Sequence, residues 1–150
     1  MRTINGIEAL AALIGAELGA SNWQEITQTQ IDGFAEITGD HQWIHTDPDK
    51  AADGPYGTTI AHGYLVLSLI PSILAQTVRM DGVSIAVNYG SNKVRYISPV
   101  PVGSRVRGTV RLGGVEATAQ GARVIFEVII ELENADKPAV VAEIVSLLIA

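Results

Sequence analysis

The chain reads as an α+β domain, and three observations predict this. Residues 62–78 place Tyr64, Leu65, Val66, Leu67, Leu69, Ile70, Ile73, Leu74 and Val78 on every side of a helix, the pattern of a buried helix. From Val83 onward apolar and polar residues alternate with the period of strands. At 150 residues and 47% apolar content, one domain spanning 1–150 can enclose a substantial core. No repeat, linker or low-complexity segment divides it. Helix before strands, without βαβ alternation, is the α+β order.

Composition narrows the function classes. Aromatic content is 5%, so the core is aliphatic, and no cysteine is present for disulfide or thiolate chemistry. That fits a cytoplasmic location. A net charge of −6 argues against nucleic acid as a partner. The start, MRTINGIEAL, lacks the apolar core of a signal peptide, and no stretch has the apolar length of a membrane span.

Taken in order, Ile7, Leu10, Ala11, Ile14 and Leu18 recur at helical spacing and predict a helix over 5–18, with Asn5 as N-cap and Gly19 as stop. Trp23 to Ile26 suits a short strand. Thr27 or Thr29 caps a helix carrying Ile31, Phe34, Ala35 and Ile37, which ends at Gly39. A loop with Asp40 and His45 follows. Thr46-Asp47-Pro48-Asp49 then caps a short helix to Ala52. In the 62–78 helix, Pro71 removes one amide and predicts a kink. Met80-Asp81-Gly82 reads as a turn. Val83, Ile85, Val87 and Tyr89 alternate in one phase and Val94 and Tyr96 in the other, so a bulge is expected across Gly90-Ser91-Asn92. Two strands follow, through Val106, Val110 and Leu112 and through Val124, Phe126, Val128, Ile130 and Leu132. The final strand, Ala139 to Ile149, is apolar on both faces and therefore central or covered.

Chemistry concentrates between Phe34 and Gly63, which hold all three histidines. Asp40 and His45 bracket Trp43 and Ile44. If that apolar pair packs inward, a carboxylate and an imidazole face one cavity, where they can hold a water and move its protons. On spacing alone, a turn-capping Asp40 and a His45 with one structural hydrogen bond stand ahead of that reading. His41 and His45 would share a helix face, but Gly39 and Pro48 argue for a loop and no third ligand presents itself, so no metal is expected. His62 reads as a structural hydrogen bonder. Ser68 either touches ligand or bonds back to its helix. Gly63 lets a ligand approach the unpaired amides at a helix start, which suits an oxygen gaining negative charge.

Phe34, Thr38-Gly39-Asp40, Ile44-His45 and Ala51 resemble the signature of the MaoC-like, R-specific enoyl-CoA hydratases. Ile60-Ala61-His62-Gly63 with Ser68 is similar to that family's second block. The resemblance runs from about Trp23 to the C-terminus and is closest to the nodulation-protein-N-like branch. It implies a hot-dog fold, an antiparallel sheet wrapped around a long central helix. It also implies that Asp40 and His45 are the catalytic pair and that the Gly63 amide binds the thioester oxygen. Gln42-Trp43 stands where the family has Asn-Pro, and Ser104 where it has Asp.

The reading is a hydro-lyase that adds water to a trans-2-enoyl thioester or removes it from the R-3-hydroxyacyl form. Catalysis falls to Asp40 and His45, and oxyanion and substrate binding to Gly63, Ser68, Gln42 and His62. No cofactor is needed. The substrate carrier is CoA or acyl carrier protein. A thioesterase on the same fold and a non-catalytic acyl-CoA-binding module are the alternatives. Six of the ten basic residues lie between Lys93 and Arg123, as a solvated strand face or as contacts for carrier phosphates. The long strand from Val83 to Ile97 has no obvious partner on one side, which predicts a homodimer. Trp43 is expected to fill core space beneath the Asp40 loop.

Overall fold

The computed structural model describes residues 1–150. Its frame is a six-stranded antiparallel sheet in the order β2 (Glu17–Ala20), β6 (Arg105–Thr118), β7 (Gly121–Leu132), β8 (Val140–Ile149) and β5 (Ile85–Tyr96), with β3 (Gln24–Glu25) also paired to β6. The apolar last strand is interior, between β7 and β5. The expected bulge in β5 is present as two register shifts against β8, between Asn88 and Gly90 and between Ser91 and Lys93.

One face of this sheet wraps a helical pair, α5 (Gly63–Leu67) and α6 (Ile70–Thr77). Val124, Val128 and Ile130 of β7 and Ile70 and Ile73 of α6 are at most 3% exposed. Each contributes about 1.5–3 kcal/mol by leaving water. Gly108 of β6 has no room for a side chain against Ile73, so helix and sheet are in close contact. This is the hot-dog arrangement, with one correction: the central helix is two segments. Ser68 and Leu69 separate them, and Pro71 lies in the first turn of α6, where its missing amide costs no hydrogen bond.

Two further corrections concern non-local pairing. The 5–18 segment is not one helix: β1 (Arg2–Asn5) leads into α1 (Gly6–Ala11), and the chain then extends into β2. The Gly15 amide donates to the Leu112 carbonyl at 2.7 Å, so strand pairing with β6 replaces helical bonds there. Of Met80-Asp81-Gly82, only Gly82 is a turn, at φ +79°; Met80 and Asp81 end β4 (Val78–Asp81), which runs parallel to β1.

On the outer face of β6 and β7, Arg107 faces Glu131, Arg111 faces Glu127 and Arg123 faces Glu116 in direct register. Arg105 meets Glu133 at 3.1 Å. Four of the six clustered cations are thus matched by carboxylates on a solvated face. No helix is long and apolar enough to cross a membrane.

Candidate active site

The site is assembled where α2 (Gln28–Thr38), the turn after it and the start of α5 meet. Local sequence explains α2. Thr27 accepts from the Gln30 amide while the Gln30 side chain accepts from the Thr27 amide, a reciprocal capping box. At the other end Gly39 takes φ +78°, a left-handed C-cap that turns the chain sharply and delivers Asp40.

The residues after Asp40 form a single helical turn, α3 (Trp43–Thr46), where a loop was expected. The Asp40 carboxylate accepts from the Gln42 amide at 3.3 Å. That turn buries His45, at 6% exposure. The Ile60 amide donates to the Ile44 carbonyl at 3.0 Å. His45 Nδ1 lies 2.6 Å from the Ile60 carbonyl. A carbonyl only accepts, so Nδ1 carries the proton and Nε2 of neutral His45 is a free lone pair. Burial lowers the His45 pKa. His62 adds to the lowering, while the Ile60 hydrogen bond and the Asp40 charge oppose it.

His62, expected to be a structural hydrogen bonder, is 2% exposed and bonds through Nε2 to the backbone carbonyl of Asp40 at 2.9 Å. Its ring also stacks on His45, with centroids 3.9 Å apart and planes inclined by 24°. Ring nitrogens of His45 and His62 and a carboxylate oxygen of Asp40 all lie within 4.8 Å of one another. Sequence reasoning found no third ligand because it paired His45 with His41, which is exposed and lies 3.7 Å from Glu36. The stack suits zinc poorly. Ring lone pairs lie in the ring planes, and two planes stacked this way do not meet at the ~2.0–2.1 Å of a zinc–nitrogen bond.

Two cavities flank the group. The larger, about 1030 Å³, is lined by Asp40, Ser68 and a mostly apolar wall including Phe34, Leu74, Phe126 and Leu148. The smaller, about 260 Å³, is lined by His45, Gly63, Tyr96 and others. Asp40 lines the larger, mostly apolar cavity and His45 the smaller one, so the pair stands between the two. As the first residue of α5, Gly63 has no helical acceptor for its amide. Ser68 lines the large cavity but gives its hydroxyl to the Leu65 carbonyl at 2.7 Å. Gln42 is exposed and lines neither cavity. Tyr96, read in the sequence only as a strand residue, belongs to the site. Its only signal is its phase on a strand whose facing partner, Gly63, lies far away in the chain.

Trp43 is not core. It is half-buried, packed beside Gly54 and beneath the Lys50 ammonium, which sits 4.8 Å from its ring centre.

The site geometry can be set beside known proteins. The family described as MaoC like domain matches residues 9–134. Over 144 residues the chain is 51% identical to 3-hydroxyacyl-thioester dehydratase Z of Mycobacterium tuberculosis, covering 95% of each chain. Over 140 residues it is 42% identical to nodulation protein N of Rhizobium leguminosarum, covering 90% of this chain and 86% of the relative. Among solved structures, the (R)-hydratase from A. caviae involved in PHA biosynthesis superposes with a TM-score of 0.73 at 22% identity, over 89% of this chain and 94% of the other. That likeness speaks for the fold. The family match spans most of the chain, including both blocks that carry Asp40, His45, His62 and Gly63, and the chain belongs to the MaoC-like dehydratase domain family.

Proposed function

We propose that this protein is a hydro-lyase that interconverts trans-2-enoyl and R-3-hydroxyacyl thioesters. The observation that carries the reading is the His45 Nδ1–Ile60 carbonyl bond of 2.6 Å. It leaves one imidazole lone pair free on a ring that has a nitrogen within 4.8 Å of an Asp40 carboxylate oxygen, with an unpaired glycine amide lining the same small cavity as His45.

In the hydration direction a water donates one hydrogen bond to Asp40 and one to His45 Nε2. Its oxygen forms a bond to C3 as His45 takes the proton, and the C2–C3 π electrons move onto the thioester oxygen. The Gly63 amide hydrogen-bonds that enolate oxygen. Imidazolium His45 then returns the proton to C2, which restores the carbonyl and the free base. Asp40 orients the water and stabilises the imidazolium. The acyl chain occupies the large apolar cavity and the carrier, CoA or acyl carrier protein, leaves through the smaller one. A reaction on diffusible thioesters by a cysteine-free chain is assigned to the cytoplasm. The working unit is a homodimer joined through β5.

Incubation with crotonyl-CoA is the test. Loss of enoyl absorbance with the thioester intact is the expected result. Release of free thiol would mean a thioesterase, and binding with neither change would mean a non-catalytic acyl-CoA module. Asp40→Asn and His45→Ala should each lower turnover about 10²-fold or more, as for a positioned proton carrier. A folded Asp40→Asn protein with wild-type turnover would remove Asp40 from the mechanism.

A further inference from the structure

We infer that His62 is a positioning residue that locks the Asp40 loop and the His45 ring into one rigid unit. The inference rests on the hydratase reading above and goes beyond it by giving a third residue a defined task.

His62 occupies the N-cap of α5, yet its side chain makes no capping bond to that helix. It reaches instead to the turn after α2. There Nε2 donates to the Asp40 carbonyl at 2.9 Å, across 22 positions of sequence. One face of its ring lies on His45 at 3.9 Å. Phe34 packs against it with a centroid distance of 5.0 Å and a tilt of 51°. The next residue is Gly63. A single buried ring therefore touches the carboxylate-bearing loop and the imidazole, and is joined through the backbone to the proposed oxyanion amide.

The chemistry of the ring is informative. Because the Asp40 carbonyl is an acceptor, the His62 proton sits on Nε2 and Nδ1 is left bare. That nitrogen is buried and has no hydrogen-bond partner. A residue serving only to fill space would be apolar and would avoid the cost of an unpaired buried acceptor. Retaining an imidazole there makes sense if its donor and its flat face are both used at once. Asn or Gln supplies a donor without the stacking face, and Phe supplies the face without the donor. Held from both sides, Asp40 and His45 keep the spacing that a shared water requires, and small errors in such spacing are expensive in rate.

The test uses the full chain and three variants. His62→Phe keeps a flat ring and removes the donor, His62→Gln keeps a donor and removes the ring, and His62→Leu removes both. With crotonyl-CoA, His62→Phe and His62→Leu should lower kcat by about 10²-fold with KM little changed, the rate loss expected of misplaced reacting groups. His62→Gln should recover part of that loss. Wild-type kcat in all three variants would overturn the proposal, as would a rise in KM with kcat unchanged, which would make His62 a substrate-binding residue. Long-range 1H–15N NMR of the imidazoles supplies a readout independent of turnover. The wild type should show His62 protonated on Nε2 and His45 on Nδ1, and His62→Phe should lose the single defined His45 tautomer. An unchanged His45 signal in His62→Phe would overturn positioning. A wild type inert toward crotonyl-CoA but with these tautomers would sink the hydratase reading alone.

Discussion

Gly63 lies directly against the ring of Tyr96: a Cβ placed on the glycine would stand 2.9 Å from two of the ring carbons. No side chain fits there without moving the tyrosine, whose ring also meets Tyr64 edge-on at 6.2 Å. The close approach belongs to the helix start whose amide is assigned to the enolate oxygen. It couples the edge strand β5 to the reacting centre.

Gly63→Ala should therefore displace Tyr96 or tilt the first turn of α5. Either change misaims one oxyanion donor, and loss of such a donor costs about 10²–10³ in turnover. Steady-state kinetics on crotonyl-CoA checks this. The double variant Gly63→Ala/Tyr96→Ala relieves the clash and should recover much of the lost thermal stability, measured by a melting curve. If the single variant turns over like wild type, the amide is not the oxyanion donor.

The pH dependence follows from His45. Its pKa is held below the ordinary 6.5 chiefly by burial. Between 6.5 and that lower value the unfolded chain binds a proton that the folded chain does not. Stability is therefore full above about pH 6.5 and falls as the pH drops towards the folded pKa. The acid limb of kcat/KM should likewise lie below 6.5, because neutral His45 persists to lower pH. Asp40 pulls the other way by favouring the imidazolium, so Asp40→Asn should lower the His45 pKa further. A 1H NMR titration of the His45 ring in both proteins measures this, and an upward shift in Asp40→Asn would contradict it.

Much of the frame was legible because it is coded locally. Thr27, one of the two caps the spacing allowed, starts α2, Gly39 ends it, and the phase slip after Tyr89 marks the bulge. What the sequence hid depends on contacts between distant segments. The helical spacing of Ile7, Leu10 and Ile14 is real, yet Ile14 is 51% exposed because β2 is recruited to β6. The Asp40–His45 pair could be picked out through its motif, whereas the stack of His62 on His45 and the lid of Tyr96 over Gly63 exist only once the chain is folded. The split of the central helix is different, because the bonds that accompany it are local. Ser68 turns its hydroxyl back onto the Leu65 carbonyl, and Leu69 closes a tighter turn to the Val66 carbonyl at 3.2 Å.

Trp43 illustrates how placement changes a magnitude. A fully buried tryptophan would cost about 3–5 kcal/mol on truncation to alanine. Half-buried against Gly54 and beneath Lys50, it should cost less, about 1–3 kcal/mol including a cation–π contact of about 0.5–1 kcal/mol. Trp43 lines neither cavity, so acyl-chain preference should stay as in wild type. Chemical denaturation and a comparison of enoyl-CoA chain lengths test both halves. A shift toward longer chains would place the ring in the acyl path.

The remaining prediction concerns β5. It is the edge of the sheet, paired only to β8 along its 12 residues. Ile85, Val87, Tyr89 and Tyr96 on it are 42–60% exposed, with Ile97 just beyond. An apolar edge of this length invites another strand, and a second copy pairing antiparallel about a two-fold axis would cover both edges at once. Ile85, Val87, Asn88 and Ser91 of the same strand also line the large cavity, so a strand paired there would border the acyl chamber. Sedimentation at micromolar concentration should give twice the 15.9 kDa chain mass. Tyr89→Lys puts a charge on this exposed edge strand and should shift the protein toward monomer, with a parallel loss of turnover on long-chain substrates. A wild-type monomer with full activity would show that the edge is covered in some other way and that the chamber is complete within one chain.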